Sequence, residues 1–442
     1  MIERIRSILA EIPEVSAWKL TVSEKQSSEL FYVGRKLETN RATDTTNYVL
    51  TIYVDKEAGT AGSADTGRTR GSAAFSIYAF MSDDELRAKI RDNVYAAGFA
   101  MNPWYDIPGP EDTALPESNS NIKDIGLKEA AETVSDAVFK ADAYADGSLS
   151  ATEIFIDKTR LHIYNSKGVD LQSVSYGASI ELIPSWEKDG EEVEVYQMLR
   201  FESIDPDEIT RLTDEQLQIA AARFTAKPLS ELVDITAPLK VILQDKEAGR
   251  IFGYFANDLD YSTKYQKANK FEPGDHVQGD NVTGTPLTLR MVPYVRNAFN
   301  SAFFDGDGVI LKDTVLVQNG VAVNRKGAYR FGYYLGEKAP AGSLPILVVE
   351  PGTKSFREMA AEPYLRCQVF SGIQVEPNTG YFGGEVRLGY YFDGEKEIPV
   401  TGFSISGNMN LSRGTMVYSF ETVTTNAYHG PKYLEIPDMK LA

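Results

Sequence analysis

The 442 residues carry 63 acidic against 45 basic side chains, a formal net charge of −18, and 43% hydrophobic residues. That balance fits a soluble globular protein long enough for two or three domains of roughly 100 to 200 residues. It argues against a direct nucleic-acid partner, because phosphate binding needs a basic surface, and a single cysteine, Cys367, excludes both a disulfide framework and the Cys-rich zinc modules.

The opening residues, MIERIRSILAEIPE, alternate apolar and charged positions as an amphipathic helix does and lack the unbroken apolar run of a secretory signal. No later stretch reaches the roughly 20 apolar residues of a membrane span, so a cytoplasmic location without a membrane partner is the expectation. Alternating β-branched and aromatic runs, broken by Gly, predict strands over residues 29 to 80. Ser82 and Glu85 then form a capping box before Leu86, Ile90, Val94 and Ala97 at helical spacing, with Gly98 as the stop.

Residues 102 to 121, rich in Pro, Asn and Ser, read as a linker. Beyond it the pattern predicts a helix around residues 126 to 142, several strands, and a second helix opened by a Thr213/Gln216 capping box. From Leu239 onwards apolar runs alternate with Gly turns. A short buried helix over residues 248 to 260 interrupts them, and Asn319-Gly320 and Asp393-Gly394 are strong hairpin turn pairs, since both residues tolerate the positive φ that a tight turn demands. The expectation is an α+β, antiparallel-sheet-rich chain. It divides into a sheet-plus-helix domain over 1–110, a middle α+β region over 121–228 packing with it, and a β-rich C-terminal domain over 235–442.

Recognisable chemistry is sparse. Gly62, Gly67, Arg68 and Thr69 nearly spell a phosphate-binding loop, but Arg stands where Lys is needed and a strand pattern follows instead of a helix, so a hairpin tip is the better account. FFDGDGV, residues 303 to 309, begins like a calcium loop, yet the twelfth position from Asp305 is Leu316 where a bidentate Glu is required. Without a secretion signal, Asn281-Val282-Thr283 is a chance glycosylation pattern. His162, His276 and His429 are the only imidazoles, and no two are close enough in sequence for a zinc-binding helix pair. Cys367 with His429 would supply a thiolate and a base if folding brought them together.

The C-terminal half resembles the TldD/PmbA family, whose members are also labelled modulators of DNA gyrase. VILQDKEAGRIFGYF, SAFFDGDGV with DTVLVQNGV, LVVEPGTKSFREM, SGIQVEPNTGYFGGEVRLGYYFDGEKEIPVTGFSISGN and the ending IPDMKLA follow in the family's order. In the TldD branch the corresponding helix carries HExxxH, two zinc-ligating His and a Glu base, and a later Cys completes the site. Laid on this chain, the His positions fall on Gly253 and Asp258, the Glu falls on Tyr254, and His429 lies about where the Cys sits. Glycine offers no ligand and tyrosine is a poor base near neutral pH.

The resemblance therefore implies a PmbA- or TldE-type chain without catalytic residues or a cofactor of its own. Zinc is expected in a TldD-like metalloprotease partner, the substrates are unfolded or small peptides, and the assembly is a dimer, a homodimer when isolated. A stand-alone hydrolase using Cys367 and His429, or a homodimeric peptide-binding scaffold, is the alternative reading.

Overall fold

In a computed structural model, which describes residues 1–57, 67–437 and 439–442, the amphipathic opening folds as α1 (Ile2–Ala10) and buries Ile5, Ile8 and Leu9. Strand alternation then takes over in β1 (Ala17–Val33), β2 (Lys36–Glu57) and β3 (Arg68–Ile77), which pair antiparallel. β1 starts well before Glu29 because buried Leu20 and Val22 already alternate with polar neighbours. Of the near phosphate loop, Gly67 to Thr69 lead into β3 as the strand pattern requires, while Gly62 lies outside the described residues. The reciprocal Ser82/Glu85 capping box opens α2 (Asp83–Ala97), and β4 (Met101–Pro103) follows.

Next come α3 (Ile122–Ile125), α4 (Leu127–Ala141), β5 (Gly147–Asn165), β6 (Asp170–Lys188), β7 (Glu191–Glu194), β8 (Gln197–Phe201) and α5 (Pro206–Thr225). The expected Thr213/Gln216 capping box does not exist. α5 begins eight residues earlier in sequence, where the Asp205 carboxylate accepts from the Glu208 N–H and Pro206 fills the first turn, so Thr213 and Gln216 are buried mid-helix. A single eight-stranded sheet, in the order β4-β3-β2-β1-β5-β6-β7 with β8 also on β6, takes strands from both sides of the Pro-rich segment. β1 joins the two parts by pairing with β5 from Lys19↔Asn165 to Val33↔Ala151. Leu20, Val22 and Leu30 share one face of β1, so α1 and α2 at one end and α4 and α5 at the other cover the same side of the sheet.

The second half runs β9 (Lys227–Pro228), β10 (Lys240–Gln244), α6 (Lys246–Asp258), α7 (Tyr261–Tyr265), β11 (Leu289–Val292), β12 (Thr314–Gln318), β13 (Val321–Ala322), α8 (Tyr329–Tyr334), β14 (Ile346–Val349) and α9 (Phe356–Met359). It continues through β15 (Tyr364–Val375), β16 (Tyr381–Phe392), β17 (Glu397–Thr401), β18 (Phe403–Asn408), α10 (Met409–Ser412), β19 (Val417–Tyr418), β20 (Thr422–Thr424), β21 (Tyr428–Pro431), β22 (Tyr433–Ile436) and β23 (Lys440–Leu441). Two sheets result, one ordered β19-β22-β10-β15-β16-β17-β9 with β18 and β23 added alongside, the other β13-β12-β11-β14-β21-β20. The chain is α+β and rich in antiparallel pairs.

Both hairpins form, for different reasons. Asn319 (φ 48°) and Gly320 (φ 80°) make the expected two-residue turn. At the other, only Gly394 (φ 107°) has positive φ, and Asp393 instead accepts from the Glu395 and Lys396 N–H groups with its side chain. The FFDGDGV segment is a docking turn. Asp305 is buried and accepts from the N–H groups of Asp307, Val309 and Ser343, while the Lys19 ammonium of β1 pairs with Asp307 at 3.0 Å and ties the two halves together.

Candidate functional site

β10 is buried along most of its length and ends at Asp245, whose φ of 56° and ψ of −124° turn the chain directly into α6. This helix is wedged between the two C-terminal sheets. Gly249 lies against the ring of Tyr428 on β21, so close that an added Cβ would come within 2.7 Å of it. Phe252 packs edge-on to Tyr418 at 5.3 Å between centroids and stacks on Tyr428 at 6.3 Å. Ile251, Tyr254 and Phe255 are buried as well, leaving Arg250, Gly253 and Asn257 on the outer side.

Gly253 faces open space, since nothing lies within 4 Å of where its Cβ would be. Tyr254, one residue on, is 1% exposed; its hydroxyl donates to Asn410 Oδ1 at 3.4 Å, and burial pushes its phenol pKa up. Asp258 is 3% exposed and its carboxylate is already engaged, Oδ2 accepting from the Lys270 N–H at 2.8 Å and Oδ1 from the Phe271 N–H at 2.9 Å.

The Lys270 side chain returns to the same place. Its ammonium lies 3.8 Å from Asp258 Oδ2 and 5.2 Å from the centre of the Tyr254 ring, and it donates to the Pro377 carbonyl. Buried Arg325 locks the segment from behind, donating to the Phe271 and Asp258 carbonyls and pairing with Glu272 at 3.0 Å. Neither Lys270 nor Arg325 is discernible as a site residue in the sequence, because each comes from a loop without periodicity and acts through contacts that only the fold creates.

His429 is elsewhere. Tyr428 turns its ring to α6, so the alternation of β21 sends the next side chain to the opposite face of the sheet. There Nδ1 is 2.8 Å from Thr424 Oγ1, and burial, aided by the charge of Arg290, pushes the imidazole pKa down. Cys367 is fully buried in β15, in the other sheet, where burial pushes its thiol pKa up. His162, on β5, is held by Asp170 at 2.6 Å and Tyr164 at 2.8 Å.

Tyr254 and Asp258 are thus brought together around an ammonium, Gly253 stands beside them without a side chain, and His429 lies across a sheet. Among the described residues no three His, Cys, Asp or Glu side chains gather into a group able to hold a metal ion. The donors on α6 are a phenol and a carboxylate committed to backbone N–H groups, which do not fit a zinc ion requiring three protein ligands.

Comparison with known proteins places the second half of the chain. Residues 236–441 match the family described as the PmbA/TldA metallopeptidase C-terminal domain. Over this second half the chain is similar to that family's C-terminal domain. A protein named "Metalloprotease" from Methanothermobacter thermautotrophicus is 24% identical to it over 332 residues, which is 67% of this chain and 68% of that protein.

Among solved structures, TldE from Thermococcus kodakarensis superposes with a TM-score of 0.77 at 14% identity, covering 100% of this chain and 99% of its own. A "putative modulator of a DNA gyrase" from Thermotoga maritima gives 0.77 at 15% identity, with both chains covered in full at 100%. One similarly described from Bacteroides thetaiotaomicron gives 0.79 at 14% identity, covering 100% and 97%. At such identities the superpositions establish the fold over the whole length. Residues 236–441, with α6 between two sheets, therefore belong to a fold that these structures share over the whole length.

Proposed function

We propose that this chain is the non-catalytic, PmbA/TldE-type subunit of a two-subunit zinc metallopeptidase, pairing with a related chain that bears HExxxH and holds the metal. The observation that carries this reading is the lysine at the degenerate site. Where the resemblance expects the base and the second His, Tyr254 and Asp258 hold the Lys270 ammonium between a ring face and a carboxylate. A cation supplied by the chain itself neutralises Asp258, whose oxygens are used in folding the Lys270–Phe271 segment.

The frame retains a feature useful to a peptide-handling subunit. β10 pairs with β15 only from Tyr364 to Cys367, so among the described residues the stretch from Phe370 to Val375 has no strand on its α6 side. Arg250 of α6 reaches this edge and donates to the Ile373 carbonyl at 3.2 Å, and Gly253 leaves room beside it. An extended peptide would add to this edge through main-chain hydrogen bonds, which confer affinity with little sequence preference. The experiment is zinc content and cleavage of an unstructured peptide by the chain alone and mixed with an HExxxH-bearing relative. Activity confined to the mixture supports the reading, and stoichiometric zinc with activity in the isolated chain overturns it.

A further inference from the structure

The open edge of β15 is not bare along its whole length. Ile373 lies opposite Gly384 of β16, and its carbonyl turns away from that strand to accept from Arg250 Nη1 at 3.2 Å. In an antiparallel pair a residue that turns its carbonyl away from its neighbour turns its N–H away as well, so Ile373 presents both main-chain groups to the α6 side. A peptide strand added there would offer an N–H to this carbonyl, and the guanidinium already stands in that place. An added strand that keeps this bond therefore ends at Arg250.

Arg250 is positioned to receive that end. Its side chain is half-exposed, whereas Glu247, one turn earlier on α6, is buried and holds Arg250 Nε at 3.1 Å. Fixed through Nε and Nη1, the guanidinium keeps Nη2 without an acceptor among the described residues. The space around it is open. Gly253, three residues further along α6, and Gly372, the residue before Ile373, both have nothing within 4 Å of where a Cβ would be. Lys270, the other cation on this edge, is not free in the same way, because its ammonium is shared among the Pro377 carbonyl, Asp258 and the Tyr254 ring.

A chain terminus that arrives at a fixed guanidinium is sorted by its charge. A terminal carboxylate takes charge-assisted hydrogen bonds from it, an α-ammonium is repelled, and a terminal amide offers only a neutral acceptor. We propose, resting on the peptide-edge reading above, that Arg250 recognises the free α-carboxylate of the bound peptide, so that this chain selects the carboxyl-terminal ends of unstructured peptides over their internal segments. Glu247 is the positioning residue that holds the guanidinium at the edge.

The test is fluorescence anisotropy on the full chain alone, with one short peptide of glycine, serine and valine, labelled at its amino terminus and made both as the free acid and as the carboxyl-terminal amide. The free acid is expected to bind about tenfold more tightly, with a preference that shrinks as salt is raised. Arg250→Gln should bind both forms as weakly as the wild type binds the amide, and the acid-to-amide ratio of the wild type decides the matter should the variant fold poorly. Equal binding of the two forms by the wild type overturns the role of Arg250 and leaves the peptide edge standing. Binding of neither form removes the edge, and the proposal with it. An amidated peptide with an internal aspartate that binds as tightly as the free acid assigns Arg250 to side-chain carboxylates and overturns the terminal assignment.

Discussion

The Lys270 ammonium lies 3.8 Å from the Asp258 carboxylate, and the N–H of the same lysine donates to that carboxylate at 2.8 Å, so one residue satisfies Asp258 through both side chain and main chain. Two substitutions separate these roles. Asp258→Ala leaves the buried N–H groups of Lys270 and Phe271 without an acceptor and is expected to cost about 2–4 kcal/mol. Lys270→Met keeps both main-chain bonds and removes a long ion pair, the ring contact and the hydrogen bond to the Pro377 carbonyl, and should cost about 1–2 kcal/mol. Urea unfolding of the two variants checks the order, and equal losses would contradict the assignment of the main-chain bonds as the larger contribution.

Gly249 and Gly253 lie one turn apart on α6 in opposite surroundings. Gly253→Ala enters open space in a helix interior and should stabilise the chain by about 0.5–1 kcal/mol, because alanine is the better helix former. Gly249→Ala drives a methyl to 2.7 Å from the Tyr428 ring and should cost about 1–3 kcal/mol. Thermal melts of the pair should therefore move in opposite directions.

Glu272 is held at a pKa of about 2 chiefly by its hydrogen bond from Lys264, with Asn269 and Arg325 adding to the effect. A carboxylate depressed on folding contributes stability that is complete above its unfolded value, about 4.3, and is lost as pH falls towards its folded one. Acid titration should show this contribution disappearing between roughly pH 4.5 and pH 2. In Glu272→Gln the slope over that window should be shallower. Because Glu272 is largely solvent-exposed, the difference will be modest and will shrink at high salt.

Cys367 has no access to solvent and its thiol is pushed up by burial. It should stay unreactive towards a thiol reagent in the native protein and titrate at one equivalent on unfolding. Native reactivity would reopen the hydrolase reading.

Much of the architecture was legible because it rests on local chemistry. The Ser82/Glu85 box, the Asn319-Gly320 turn and the alternation of β3 act within a few residues, and the structure contains each of them. The Thr213/Gln216 box failed because Asp205 and Pro206 offered a stronger start to a helix whose interior then buried both residues. At the candidate site, Gly253, Tyr254 and Asp258 were found through their register on one helix. The partners that give the site its character, Lys270, Asn410 and Arg325, come from distant segments and left no trace in any periodicity. The separation of His429 from α6 depends on which face of β21 it takes, which in turn is set by the contact of Tyr428 with Gly249.

The most direct test of the central claim is zinc content and hydrolysis of an unstructured peptide, measured on this chain alone and then on its mixture with an HExxxH-bearing relative. A non-catalytic subunit predicts no stoichiometric zinc and no cleavage alone, with about one zinc per heterodimer and cleavage in the mixture. Stoichiometric zinc and cleavage by the isolated chain would contradict it.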